Sequence, residues 1–256
     1  MALENEKELQ NLRNRLRDLA NKSFQQNMFT FTGFLGLSEQ DVFWQMESQL
    51  CHSGYKLSGG CKQADRQIVR FGNPEELGYE VEFPIVCIHI KPLMAKFADK
   101  ISHRDVLGAL MNLGIERSTL GDIKVGDKEA YLFCLDSIAE YICDNLMQIR
   151  HTHVSCSVTD NYRELPEEEP KVCNIQVSSP RVDGVIAKVY NKSRSDCLEL
   201  FRTGKVYVNG RLCENNSRSL KTGETVNARG YGKFVINTDP RETRKGKLSM
   251  EIAVYR

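Results

Sequence analysis

Hydrophobic residues recur at helical spacing close to the N-terminus. Between residues 2 and 22, Leu9, Leu12, Leu16 and Leu19 are separated by three or four positions, and charged residues fill most of the remaining places. This pattern predicts one amphipathic helix with a narrow apolar stripe. Such a stripe can pack on the body of the chain, or it can contact a helix of a partner protein.

A second helix is predicted in the stretch FTGFLGLSEQDVFWQMESQL. Ser38 precedes its apolar run and Asp41 follows three residues later, which is the spacing of a capping box. The pair at 59–60 is Gly-Gly and indicates a tight turn. These elements predict a small α/β region over residues 1–76.

The middle of the chain alternates strand-like and helical segments. EVEFPIVCIHI at 80–90 is typical of a strand, and Ser102 with Asp105 opens a helix that ends near Gly114. Two short strands, DIKV and EAYLFCL, follow, then the helix DSIAEYICDNLMQI and the strand THVSCSV. The order β-α-β-β-α-β predicts a ferredoxin-like, split βαβ domain over residues 77–162.

The segment RELPEEEPK at 163–171 is predicted to be a linker, since it contains two prolines, four glutamates and no apolar periodicity. In the domain that follows, 172–256, Ser179 is predicted to cap a first helix with Pro180 as its first helical residue. Ser193 is predicted to cap a second helix. The fold class predicted for the whole chain is α+β.

A hairpin and further strand segments are predicted after the second helix. Asn209-Gly210 in KVYVNGR is a strong signal for a two-residue hairpin turn, because both turn positions need a positive φ. The chain then passes a turn at Gly223 into TVNARGYGKF, which is interpreted as one further strand.

Composition narrows the class of protein. The chain is 41% hydrophobic and 27% charged, which is typical of a soluble globular protein. No apolar run approaches the ~20 residues of a membrane span, and the polar N-terminus is not that of a signal peptide. The nine cysteines are irregularly spaced and predict reduced thiols in a cytoplasmic protein.

The charge of the chain is unevenly distributed. Residues 181–256 contain 16 Lys and Arg against 8 Asp and Glu, a balance of +8, whereas residues 1–180 carry −7. A basic C-terminal part on an acidic body suggests a nucleic-acid partner. A merely solvated basic face is the alternative interpretation.

The cations concentrate around the two helix starts and the hairpin, where free N–H groups also favour phosphate. The residues predicted from this placement are Arg181, Arg194, Lys205, Arg211, Arg229 and Lys233.

Five blocks in residues 180–235, namely RVDGVIA, SRS, GKVYVNG, GETV and RGYGKF, resemble the RNA-binding domain of ribosomal small-subunit protein four, here called the S-four domain. Glu224 departs from the Asp that is usual in that family. The resemblance implies two helices on a small sheet that bind structured RNA. Its implied RNA-binding positions are Arg181, Ser193, Arg194, Ser195, Lys205, Asn209 and Arg211.

The resemblance extends along nearly the whole chain. FTGFL, GGCKQADR, SHRDVLGALMNLGIER and GDI are similar to the YlmH family of bacterial S-four proteins, in which Tyr usually replaces Cys61. Membership would imply a cytoplasmic protein encoded near cell-division genes. Other short S-four proteins bind the large ribosomal subunit carrying a stranded peptidyl-tRNA, and by analogy this chain would bind rRNA or tRNA there in rescue or quality control.

Other candidate sites carry weaker signals. Arg117 lies between two glycines in GIERSTLGDI, which allows either a second phosphate-binding loop or a plain structural turn. Tyr131 and Phe133 alternate on one strand and could stack bases or pack in the core. His103 begins an HRD triplet, but the other kinase motifs are absent from the sequence. The spacing of His151-x-His153 and Cys156 lacks a usual fourth zinc ligand, so no metal and no cofactor are predicted.

The leading hypothesis is therefore a non-enzymatic RNA-binding protein. The competing hypotheses are an adaptor of the division machinery that uses the 2–22 helix as its contact, and, with less support, an RNA-modifying enzyme.

Overall fold

A computed structural model describes residues 2–62, 64–160, 170–244 and 246–255. The chain divides into two compact units, residues 1–165 and 166–256. Both contain helices and sheets, and the α+β prediction is confirmed. Most of the predicted linker, 163–169, lies outside the described residues. None of the described helices is long and apolar enough to cross a bilayer.

The first unit begins with a helical layer on a three-stranded sheet. Its elements are α1 (Ala2–Gln26), β1 (Thr30–Phe31), α2 (Leu37–Leu50), a 3-10 turn (Cys51–Ser53), β2 (Tyr55–Ser58), β3 (Ile68–Phe71) and α3 (Pro74–Leu77). The strand order is β1-β3-β2, and both pairings are antiparallel.

The apolar stripe of α1 packs on the body of its own unit. Leu16 is fully buried in a core with residues of α2 and β3, and Leu9, Leu12 and Leu19 pack against the same core. The stripe thus packs on the body of the chain, as one of the two interpretations predicted, and a contact of this helix with a partner protein stays a prediction.

The start of α2 differs from the expected one. The helix begins one residue before Ser38, with Gly36 as its N-cap. The Glu39 carboxylate accepts a hydrogen bond from the Gly36 N–H at 2.6 Å. This bond places a glutamate, rather than the predicted Asp41, in the capping position.

The rest of the first unit forms a second sheet with two helices. Its elements are β4 (Ile85–Pro92), a 3-10 turn (Ala95–Phe97), α4 (His103–Asn112), a 3-10 turn (Arg117–Thr119), β5 (Leu120–Val125), β6 (Ala130–Leu135), α5 (Asp136–Asn145), β7 (Gln148–Ile149) and β8 (Thr152–Val158). The order β5-β6-β4-β8-β7 and the antiparallel pairings reproduce a ferredoxin-like split βαβ sheet, with β7 added at one edge. Ser102 and Asp105 form the predicted capping box of α4. The domain boundary predicted between residues 76 and 77 stays a prediction, since residues 1–165 form one compact unit.

The second unit packs two helices on a seven-stranded sheet. Its elements are β9 (Lys171–Val177), α6 (Val182–Tyr190), α7 (Arg194–Arg202), β10 (Val206–Val208), β11 (Arg211–Leu212), β12 (Thr225–Ala228), β13 (Gly232–Ile236), β14 (Arg241–Glu242) and β15 (Leu248–Tyr255). The strand order is β11-β10-β12-β13-β15-β14, and β9 also pairs with β15. The sheet is thus larger than the small one that was expected.

The core of the second unit fixes which face of the sheet the helices cover. Val185 and Ile186 of α6 are buried with Val226 and Phe234 of the sheet. Because successive side chains of a strand point to opposite faces, the alternate residues of the sheet lie on the face away from α6 and α7.

Two expectations about this unit are wrong. The first helix starts at Val182 with Arg181 as its N-cap, so Ser179 does not cap it. TVNARGYGKF is two antiparallel strands rather than one, because a turn at Arg229–Tyr231 reverses the chain. The hairpin prediction holds: Asn209 and Gly210 have φ values of 52° and 77°.

Candidate nucleic-acid interface

A pocket of about 470 Å³ lies beside the two helices of the second unit. It is lined by Gln176, Val177, Ser178, Ser179, Arg181, Asp183, Gly184, Ala187, Lys188, Lys192 and Arg194. Four of these residues are cations and one is an acid, so the pocket carries a local excess of positive charge. We call it the helix-side pocket.

Arg194 is placed in this pocket by the cap of α7. Ser193 is the N-cap, its hydroxyl accepts a hydrogen bond from the Asp196 N–H at 3.1 Å, and Asp196 bonds back to the Ser193 N–H. Arg194 is therefore the first helical residue. Its side chain is exposed and makes no hydrogen bond or ion pair within the part of the chain that the structure describes.

The two serines beside Arg194 have different roles. The Ser193 and Ser195 hydroxyls lie 2.8 Å apart and share a hydrogen bond, and Ser195 is exposed. Ser193 thus has a structural task, whereas Ser195 has a hydroxyl at the surface next to Arg194. The hydrogen bonds from Ser193 also lower the pKa of the Asp196 carboxyl.

Arg181 is the one predicted cation of this pocket that is already paired. Its guanidinium donates to both carboxylate oxygens of Asp183, at 3.1 and 2.7 Å. These bonds raise the pKa of Arg181 above its usual range. Part of its positive charge is thereby offset inside the protein, so Arg181 is a weaker candidate for an RNA phosphate than Arg194.

Lys188 and Lys192 line the pocket but were not predicted from the sequence. Lys188 lies seven residues after the N-cap Arg181, hence near the same face of α6, and a Cβ atom on the intervening Gly184 would meet nothing within 4 Å. Lys192 follows the left-handed Asn191 that ends α6, and its ammonium lies 4.9 Å from the centre of the Tyr231 ring. The helical spacing from Arg181 would have indicated Lys188, whereas only the chain reversal at Asn191 directs Lys192 to this pocket.

The hairpin positions have separate roles. The Asn209 side-chain oxygen accepts the Thr225 N–H at 2.9 Å, so this amide ties the turn to β12. Lys205 is exposed, and its carbonyl oxygen accepts the Arg229 N–H. Arg211 is exposed at the start of β11, opposite Val208. Contact of these three residues with RNA stays a prediction, and Asn209 has a structural task that accounts for its position without RNA.

The remaining predicted cations are associated with the other face of the sheet. Lys233 lies in a cross-strand row with Tyr207, Asn227 and Tyr255, whose neighbours along each strand pack under the helices. The Lys233 ammonium is 5.9 Å from the Tyr255 ring centre, and the Arg229 guanidinium is 5.6 Å from that of Tyr207. The structure therefore does not gather the nine predicted residues into one cluster.

Glu224, the position that departs from the S-four pattern, has a structural task. One carboxylate oxygen forms a 2.6 Å ion pair with Arg218, and the other accepts the Lys221 N–H at 2.9 Å. The acid thus holds the turn that contains Gly223.

The structure also shows where the weaker candidate sites of the first unit lie. Arg117 is half-buried in a 3-10 turn and donates to the Leu120 and Gly121 carbonyl oxygens. Phe133 is 1% exposed, so base stacking on it is excluded, and Tyr131 stacks on His89 with ring centres 4.4 Å apart. Among the described residues, no group of three His, Cys, Asp or Glu is placed to hold a metal.

Comparison of the sequence with known protein families first assigns a class to the central domain. Residues 79–163 match the family described as "Putative RNA-binding domain in YlmH". Over 231 residues the chain is 27% identical to a protein of Bacillus subtilis (strain 168) named "Ribosome-associated protein quality control protein P2", and the match covers 87% of this chain and 86% of that one. These two matches confirm the predicted resemblance to the YlmH family.

A solved structure also matches. It is titled "Cell division protein ylmH from Streptococcus pneumoniae", with 18% sequence identity and a TM-score of 0.47 over 62% of this chain and 95% of that chain.

Proposed function

We propose that this protein is a non-enzymatic RNA-binding factor that acts on the ribosome and holds phosphates of structured RNA in the helix-side pocket. The observation that carries the proposal is the combination of four cations with one acid around the first residue of α7. Helix starts offer free N–H groups to anions, and cations supply the attraction that dominates binding to a nucleic acid.

The architecture of the second unit supports an S-four type of binding. Two short helices pack on one face of a sheet, and the cap residues SRS place Arg194 at the surface. Contacts to phosphate position a protein on RNA without reading its sequence. The proposed pocket therefore recognises structured RNA, either rRNA or tRNA, rather than a base sequence.

The proposal that the protein acts on the ribosome rests on the Bacillus relative. That protein is named for ribosome association and quality control, and the match covers most of both chains. We extend this to binding on the large subunit, in rescue of stalled translation, and hence to a cytoplasmic location.

The division-adaptor hypothesis has less support than RNA binding. It used the apolar stripe of α1, and that stripe is packed into the core of the first unit.

Sedimentation of a cell lysate tests the place of action. The protein, detected by mass spectrometry, should travel with the large-subunit or whole-ribosome fractions and should move to the free fraction when the salt concentration rises. Sedimentation in the free fraction at near-physiological salt would contradict ribosome binding.

Titration with a structured RNA at several salt concentrations tests the nature of binding. If several phosphates are neutralised, the logarithm of the affinity should fall with the logarithm of the salt concentration with a slope of several units. A flat response would contradict phosphate binding.

A further inference from the structure

Segments that are far apart in the sequence meet at one place in the first unit. The Phe34 N–H donates to the Ser118 carbonyl oxygen at 2.6 Å, and the Asp65 N–H donates to the Asp122 carboxylate at 2.7 Å. A Cβ atom on Gly33 would lie 2.7 Å from the Ser118 oxygen, so this close approach requires glycine. Residues from three of the blocks that resemble the YlmH family are thus brought together.

Two arginines lie side by side at this junction. Arg66 donates from Nε to the Leu120 carbonyl oxygen at 2.8 Å, and from Nη2 to those of Phe34 and Arg117 at 2.7 and 3.1 Å. Arg117 donates from Nη1 to the same Leu120 oxygen at 2.8 Å. Both guanidinium groups are therefore held in fixed positions by backbone carbonyls.

The positive charge at this place is not matched by a direct ion pair. Within the described residues neither guanidinium pairs with a carboxylate, and Asp122 uses both oxygens to accept backbone N–H groups. Burial and then the neighbouring Arg66 lower the pKa of Arg117 to about 10, although Asp122 and Glu39 act in the opposite direction. The two guanidinium groups repel each other, while Asp122 and Glu39 attract both, and a phosphate at the accessible donors would offset the remaining repulsion.

Donors remain available at this place. Nη1 of Arg66 and both Nε and Nη2 of Arg117 have no acceptor in the described part of the chain. None of these nitrogens is among the buried polar atoms that lack a partner, so they are accessible from solvent.

We propose that Arg66 and Arg117 form a second phosphate site, which binds a backbone phosphate of the same RNA. We call it the arginine-pair site. It rests on the proposed function, because it assigns a second contact to that RNA. The match to a family described as RNA-binding covers Arg117, which lies in residues 79–163.

The test compares four variants of the full chain, Arg117→Ala, Arg117→Lys, Arg15→Ala and Arg194→Ala. Binding of a fluorescently labelled stem–loop RNA is measured over a salt series, and melting temperatures are measured in parallel. Arg15 is an exposed arginine on α1 and serves as the matched control. We expect Arg117→Ala to weaken RNA binding about three- to tenfold and to reduce the salt slope by about one unit, the loss of one phosphate contact. Arg117→Lys should restore the slope, and Arg15→Ala should leave the slope and the affinity unchanged.

Two outcomes would overturn the arginine-pair site. In the first, Arg117→Ala melts at a lower temperature but keeps the wild-type salt slope, so that Arg117 only holds loops together. In the second, inorganic phosphate at matched ionic strength raises the melting temperature of the wild type but not of Arg117→Ala, while the slope for RNA is unchanged; the ligand would then be a free anion. Arg194→Ala in the same assay reports separately on the helix-side pocket, so failure of one site is distinguishable from failure of the other.

Discussion

Replacing Arg194 with alanine should weaken RNA binding without weakening the fold. The side chain is exposed and has no protein partner in the described residues, so its removal costs the folded state little, within about 0.5 kcal/mol. A hydrogen bond between a charged group and its partner contributes about 1.5–3 kcal/mol, which corresponds to a loss of affinity of roughly 10- to 150-fold. Because a helix start adds N–H groups at the same place, we expect Arg194 to be the most sensitive single position.

The same helix provides a control. Arg202 lies at the other end of α7 and donates to both oxygens of the Glu199 carboxylate, at 2.9 and 3.0 Å. It has the same formal charge as Arg194 but is already paired. Arg202→Ala should therefore bind RNA like the wild type, while Arg194→Lys should recover part of the lost affinity, because an ammonium keeps the charge and loses the planar fork.

The assay is fluorescence anisotropy of a labelled structured RNA at near-physiological salt, with thermal melting of each variant. The reasoning would be refuted if Arg194→Ala bound RNA as tightly as the wild type. It would also be refuted if Arg194→Ala and Arg202→Ala weakened binding equally, since the charge of α7 would then act only as a general positive field.

Three further predictions concern stability and pairing. Ser193→Ala should lower the free energy of unfolding by about 1 kcal/mol through loss of the cap, measured by urea denaturation, and an unchanged midpoint would exclude the cap. Gly121→Ala should cost about 1–3 kcal/mol, because the new Cβ would lie 2.6 Å from a fully buried phenylalanine ring. Gly108→Ala, with open space in a helix, should instead stabilise the protein by about 0.5–1 kcal/mol, and the two melting curves should move in opposite directions. Asp183→Asn should release Arg181 from its ion pair and tighten RNA binding, and weaker binding would show that the pair positions Arg181 for RNA.

Helix caps were predictable where the signal is local and nothing competes with it. The capping boxes at Ser102 and Ser193 hold, because each needs only an acid three residues later. The cap at Ser179 was wrong because residues distant in sequence intervene. Leu220 donates its N–H to the Pro180 carbonyl oxygen at 2.9 Å, and the backbone of Arg181 forms a bridge with that of residue 219. These bonds keep the chain extended and delay the start of α6.

The candidate site was predictable only in part, for a related reason. Charge and motif placed Arg194 at a helix start, and the structure agrees with that position. Sequence could not separate the two faces of the sheet, because TVNARGYGKF was interpreted as one strand. The turn between its halves depends on Gly230 and Gly232, which have φ values of 89° and 107°. The reversal, in turn, sets which neighbours Arg229 and Lys233 meet.

Because the chain is nearly neutral, RNA binding depends on whether each cation is already paired with an acidic side chain. With a net charge of +1, the acidic first part offsets the basic second part, so long-range attraction of RNA is weak beyond a Debye length of about 8 Å. Affinity must then come from contacts at short range, where a cation paired with a carboxylate gives up that pairing before it gains a phosphate. On this argument Arg181, Arg202 and Arg218, each held by an acid, contribute less than their number suggests. Cations such as Arg194, which lack an ion pair, should then dominate the salt slope.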